Sequence, residues 1–239
     1  MRSVSSRSAL CVFGLLSTLS AVGSPIIFGT GVNGSGTALA TGSVDPHWIV
    51  SGGPTAYVGA GANAIEASAI GVPLGWPITG GPYASPSGSA PFAQWIAPVP
   101  DPLTMTSSAD AEFDYSTTFD LTGFQLNTVE VKGFWSADNE TLGLYLNGVL
   151  IPATTIAGTP ADFEFLTLSP FDLTTGFTGG VNTLSVHTLN KNTGNPNPSG
   201  VIVQVSSTGI AAVPEPGTLA VVSSGLLLLG LVSKRKRRR

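Results

Sequence analysis

Phe113-Asp114-Tyr115-Ser116-Thr117-Thr118-Phe119-Asp120-Leu121 decides the fold class. Phe113, Tyr115, Thr117, Phe119 and Leu121 alternate with Asp114, Ser116, Thr118 and Asp120. Period-two alternation sends the first set to a core face and the second to water, which is the pattern of a half-buried strand. Downstream, Val129, Val131 and Trp135 share one face of a strand running to Ser136. Leu142, Leu144 and Leu146 share a face of the next strand. Asn147-Gly148 then supplies the residue pair preferred in a type I′ hairpin, and Val149 to Ile151 returns. Further strands are expected over Phe163–Leu168, Thr183–Leu189 and Val201–Val205, and earlier over His47–Ser51, Thr55–Gly59 and Phe92–Ala97. No amphipathic helix of useful length interrupts them. The fold class is all-β, an antiparallel β-sandwich of jelly-roll type over 41–208. Residues 60–91, rich in Gly, Pro and Ala, read as a long loop or insertion.

Composition agrees with many strands joined by turns. The 239 residues include 30 Gly and 18 Pro, which penalise helix interiors. Charged residues make up 10%, against about 25% in ordinary domains. Hydrophobic residues reach 42%, enough for a real core. The charges are segregated. Between residues 45 and 172 lie thirteen of the fourteen acids, while only Lys132 and Lys191 are basic between the two termini. Such a middle repels nucleic acid, which needs clustered Lys and Arg. It tolerates cations and neutral sugars. Cys11 is the only cysteine and falls in the leader, which excludes a disulfide framework.

Both ends read as targeting segments. Residues 1–23 form a signal peptide: Arg2 and Arg7, an apolar run from Ala9 to Val22, then Ala21 and Gly23 as small residues for cleavage after Gly23. Residues 24–40 read as a flexible N-terminal segment. Residues 209–239 form a tail: Val213-Pro214-Glu215-Pro216, an apolar helix over 218–232, and the basic cluster Lys234, Arg235, Lys236, Arg237, Arg238 and Arg239. Fifteen residues make a helix of roughly 22 Å, short of the ~30 Å hydrocarbon core. Each Lys or Arg costs about 2.5–3.5 kcal/mol at the bilayer centre, so six together hold the tail cytoplasmic and the domain outside.

Residues 213–239 closely resemble the PEP-CTERM sorting signal of Gram-negative bacteria. The resemblance implies secretion through signal peptidase and translocon, and a transient stay in the inner membrane. It then implies cleavage near the motif by exosortase, a membrane-embedded cysteine transpeptidase, and delivery to the outer envelope or beyond. The middle resembles galactose-binding-like jelly-roll domains through Asp45-Pro46-His47-Trp48, Gln94-Trp95-Ile96-Ala97-Pro98, Tyr115 to Leu121, Trp135-Ser136-Ala137-Asp138-Asn139 and Leu144-Tyr145-Leu146-Asn147-Gly148. The stretch Phe177 to Leu184 belongs to the same resemblance. Domains of that type often bind carbohydrate or cell-surface polymers.

No catalytic constellation emerges. Gly29-Thr30-Gly31-Val32-Asn33-Gly34 spells G-x-G-x-x-G without the βαβ setting a dinucleotide needs, and reads as flexible chain. His47 and His187 are far apart and read as strand histidines satisfied by hydrogen bonds. Paired acids (Asp110, Glu112 and Asp114; Asp138 and Glu140; Asp162 and Glu164) read as solvated rather than as a facing glycosidase pair. Loop oxygens of Asp138, Asn139 and Glu140 are the candidates for a structural calcium; no other cofactor is expected. Trp135 reads as core. Trp76, between Gly75 and Pro77, is the candidate sugar contact, because an exposed aromatic beside polar loops suits stacking. The expectation is a non-catalytic, sorted surface or matrix protein associated with exopolysaccharide or biofilm. A carbohydrate-binding module is the alternative, and a glycan-active enzyme the less favoured one.

Overall fold

Alternation becomes strand where the sequence shows it most clearly. A computed structural model of the chain describes residues 22–23, 27–54, 63–65, 93–102, 105, 109–152, 168–192 and 197–211, all within one unit, Val22–Ala211. The strands among them are β1 (Val22–Gly23), β2 (Ile49–Gly52), β3 (Asn63–Ile65), β4 (Trp95–Ala97), β5 (Ala111–Asp120) and β6 (Glu130–Asp138). They continue with β7 (Glu140–Leu146), β8 (Val149–Leu150), β9 (Ser169–Leu173), β10 (Val181–Asn190) and β11 (Gly200–Ile210). One sheet runs β3-β4-β11-β6-β9, with β1 also on β11; the other runs β2-β5-β10-β7-β8. Every pairing is antiparallel. The chain is an all-β, two-sheet antiparallel sandwich.

The core lies between the sheets. Phe113, Tyr115 and Phe119 of β5, Leu184 and Val186 of β10, and Leu144 and Leu146 of β7 face it from one side. Val131, Trp135 and Ala137 of β6, and Val201, Val203 and Val205 of β11, face it from the other. Each fully buried large side chain contributes about 1.5–3 kcal/mol through removal from water. Trp48, Trp95 and Trp135 are all buried. The hairpin at Asn147-Gly148 forms as expected, with φ of 52° and 78°, the sign a type I′ turn requires at both positions.

Several expectations need correction. The segment expected to be flexible, 24–40, is packed into the sandwich over 27–33, while 34–38 are exposed. Thr30 N–H donates to the Val203 carbonyl (2.9 Å), and Gln94 N–H donates to the Thr30 carbonyl (2.8 Å). Buried Asp45 accepts from the Gly31 (2.6 Å), His47 (2.8 Å) and Trp48 (3.1 Å) amides. Gly31 is required there: its φ is +71°, and a Cβ would lie 2.5 Å from Gln94 Cβ. Gly31 serves close approach, a role hidden by a partner far along the chain, whereas a Cβ at Gly34 would meet open space.

Residues 63–65, inside the expected long loop, form β3. Strand β9 falls outside the expected strands and carries Pro170. The proline is tolerated because, among the described residues, β9 pairs with β6 alone, and a sheet's outer strand can carry a residue lacking an N–H. His47 precedes β2 rather than lying in it, stacked on Phe28 at 3.9 Å. The expected strand Thr55–Gly59, nearly all of Phe163–Leu168, Trp76, the signal peptide up to residue 21, and the tail elements 213–216, 218–232 and 234–239 lie outside the described residues.

Candidate functional site

Two cross-strand rows define the open face of the five-stranded sheet. One reads Ile49–Ser116–Ser185–Tyr145–Leu150 through successive register partners. The other reads Ser51–Asp114–His187–Gly143. These side chains point away from the core because their neighbours along each strand, such as Tyr115, Val186 and Leu144, point into it.

A bulge shapes the centre of this face. His187 pairs with Gly143 but the next residue, Thr188, pairs with Thr141, so Leu142 is the extra residue on β7. This breaks the expected Leu142, Leu144, Leu146 face: Leu142 is half-buried while Thr141 turns in beside Thr188. Gly143 takes φ +129°, and a Cβ there would meet Leu150 Cδ1 at 2.5 Å and Tyr145 Cε2 at 3.5 Å. The missing side chain leaves space into which the Tyr145 ring leans. Its centroid stands 4.1 Å from that of His187, with 24° between planes.

His187 also faces polar groups. Its Nε2 stands 3.5 Å from Asp114 Oδ2 and 3.4 Å from Ser185 Oγ. Burial raises the Asp114 pKa, and the adjacent His187 opposes part of that shift. The result is a two-ring stack of phenol and imidazole bordered by the Ser116 hydroxyl and the Asp114 carboxyl, with the Ser185 hydroxyl buried beside His187 and exposed Ile49 and Leu150 at the row ends. Glu112, Asp114 and Asp120 give the face acid character, and its five strands contain no Lys or Arg. A flat ring beside hydroxyl partners can hold the apolar face of a pyranose while its hydroxyl groups are hydrogen-bonded.

The expected calcium ligands go to three different places. The Asp138 side chain points inward, 1% exposed, with no hydrogen-bond partner at Oδ1. Asn139 Oδ1 already accepts from the Lys191 amide (3.0 Å) and from Asn197 Nδ2 (2.8 Å). Glu140 Oε2 lies 2.8 Å from Lys191 Nζ. A cation at this turn would have to displace the Lys191 ammonium. Among the described residues no cluster of three or more His, Cys, Asp or Glu stands together to hold a metal. Of the expected acid pairs, Asp110 accepts from the Asn192 amide (2.8 Å), Glu112 is exposed and Asp114 faces His187, while Asp162 and Glu164 lie outside the described residues.

Sequence reasoning missed Tyr145 and Ser185 as site residues and treated His187 as structural. Period-two alternation in β7 already turns Tyr145 outward between Leu144 and Leu146. What it withholds is the partner, 42 residues on, that the bulged register delivers.

No family model matches the chain, and no curated protein matches it. Among solved structures it is similar to TmCBM61 in complex with β-1,4-galactotriose, at 17% identity and a TM-score of 0.31, covering 70% of this chain and 90% of that one. A likeness this loose carries no conclusion about this chain's ligand.

Proposed function

We propose that the sandwich is a non-catalytic recognition module for a neutral polysaccharide, carried on an exported and C-terminally sorted surface protein. The observation that carries the binding reading is the Tyr145–His187 stack on an open sheet face, bordered by Ser116, Ser185 and Asp114. Neutral ligands are favoured because Glu112, Asp114 and Asp120 lie on that face without Lys or Arg, so uronate or sulfate chains meet like charge. Trp76 stays a candidate contact from the sequence alone. The test is affinity electrophoresis and calorimetry of the purified protein with β-1,4-galactan, dextran and the source bacterium's exopolysaccharide. Saturable binding is expected, weakened several-fold by Tyr145→Ala, since aromatic stacking contributes about 0.5–1.5 kcal/mol. Unchanged affinity in that variant would remove the platform from consideration.

Sorting is supported separately by the order of Pro214-Glu215-Pro216, apolar run and six basic residues opposite a signal peptide. It fits a protein handed from the inner membrane to the outer envelope or extracellular matrix, where polysaccharide is at hand. Mass spectrometry of the surface form is expected to find the residues after the motif missing. An intact Arg239 there would reduce the segment to an ordinary anchor.

A further inference from the structure

The opposite face of the sandwich carries a second ring platform. On β6, an interior strand between β11 and β9 of the other sheet, Phe134 is 45% exposed although it lies mid-strand. Register places Gln204 on one side of it and Pro170 on the other. The next outward row reads Ser206–Lys132–Asp172. Cross-strand partners stand about 4.5–5.5 Å apart at Cβ, so the Phe134 and Pro170 rings are adjacent and an amide, a hydroxyl, an ammonium and a carboxyl border them.

We propose that Phe134 and its neighbours form a second glycan-contacting surface, so that one copy of the domain bridges two polysaccharide strands. This rests on the carbohydrate-binding reading of the first face. The occupant is argued from size and charge. The apolar part is two rings wide, far below the roughly 1,200–2,000 Å² total that a stable protein interface buries. Lys132 is held by Glu130 at 2.7 Å, with Asp172 as its register partner, so the patch offers no free positive field for an anionic ligand. What remains is a planar apolar surface with hydrogen-bonding groups along one border, the chemistry a neutral sugar chain requires. The two faces lie on opposite sides of sheets stacked about 10 Å apart, so no single strand lying across one face reaches the other.

The experiment uses the full chain with latex beads coated in β-1,4-galactan, dextran or the source bacterium's exopolysaccharide. Bead aggregation and direct binding are measured side by side, and circular dichroism checks each variant's fold. Wild type is expected to aggregate beads bearing its glycan. Phe134→Ala and Tyr145→Ala are each expected to keep binding beads, several-fold more weakly, while aggregation is lost. The double variant is expected to bind none. Aggregation that survives Phe134→Ala, through self-association or otherwise, overturns the proposal, as does complete loss of binding in Tyr145→Ala alone. Either of those results leaves the first platform standing. Wild type that binds no bead sinks both readings together.

Discussion

Asn182 and Asp138 are buried to the same degree and could hardly be more differently served. Asn182, fully buried on β10, uses its whole amide. Its Nδ2 donates to the Thr178 (2.9 Å) and Gly180 (2.8 Å) carbonyls, and its Oδ1 accepts from Thr178 N–H (2.8 Å) and Asn147 Nδ2 (2.9 Å). Asn147 extends the network by accepting from Thr183 N–H (2.9 Å) and donating to the Gly176 carbonyl (3.0 Å). The turn that ends the β7–β8 hairpin is thereby fastened to the loop entering β10. Asp138, at the far end of the sandwich, has an orphaned Oδ1. The Tyr115 phenol lies near it and near Ser199, again without a hydrogen bond of good geometry, and burial pushes the Tyr115 pKa up. Burial alone drives the Asp138 pKa well above the ordinary carboxylate range. The lesson is that burial gives no stability to a polar group; its partners do.

That contrast can be broken by mutation. The largest effect is expected from Asn182→Ala, which strands several donors and acceptors at once and should cost about 3 kcal/mol in urea unfolding. A loss below about 1 kcal/mol would mean that water replaces the amide and the network matters little.

Next comes the pH dependence of Asp138. Its folded pKa is raised, so folding favours the protonated acid. Stability from that preference is complete below the unfolded value near 4 and is lost as pH rises toward the folded value, at about 1.4 kcal/mol per pH unit at most. Asp138→Asn lacks this titration. Its stability relative to wild type should therefore be level below pH 4 and climb above it, with Asp45 and Asp114 common to both proteins and cancelling. A flat difference between pH 4 and pH 7 would show the carboxyl to be ionised and paired.

The smallest effect is expected from Lys191→Met beside the Asn139 cluster. Lys191 stands 2.8 Å from Glu140 and 3.9 Å from Asp110, yet it remains partly exposed. Such a pair is worth about 0.5 kcal/mol, and less as salt rises. A cost several times larger in a thermal melt would make the lysine a structural member of the cluster rather than a surface ion pair.

Legibility followed the range of the interactions. Phe113 to Leu121 could be read because alternation is written along one strand. Asn147-Gly148 could be read because a turn's demand for positive φ is local. Gly31 was misread as part of loose chain because the reason for the glycine, contact with Gln94, lies 63 residues away. The Leu142 position was misread because a bulge depends on the partner strand, and a single strand's pattern carries no mark of it. The candidate site combines both problems. Its aromatic, imidazole and carboxyl come from β7, β10 and β5, and only the register assembles them.

Strand β11 sits between β4 and β6 and also receives β1, and the Thr30 hydroxyl accepts from Val203 N–H across 173 residues. Among the described residues β11 is the last strand in sequence, and it is the one that joins β4 to β6. Until the chain has been made as far as residue 210, β4 and β6 each lack their β11 neighbour, and Thr30 lacks its Val203 partner. Contacts so distant in sequence make folding slow and collective rather than progressive. A chain still short of that strand is one whose sheet has not yet closed, and the piece that joins its two halves is supplied after both of them.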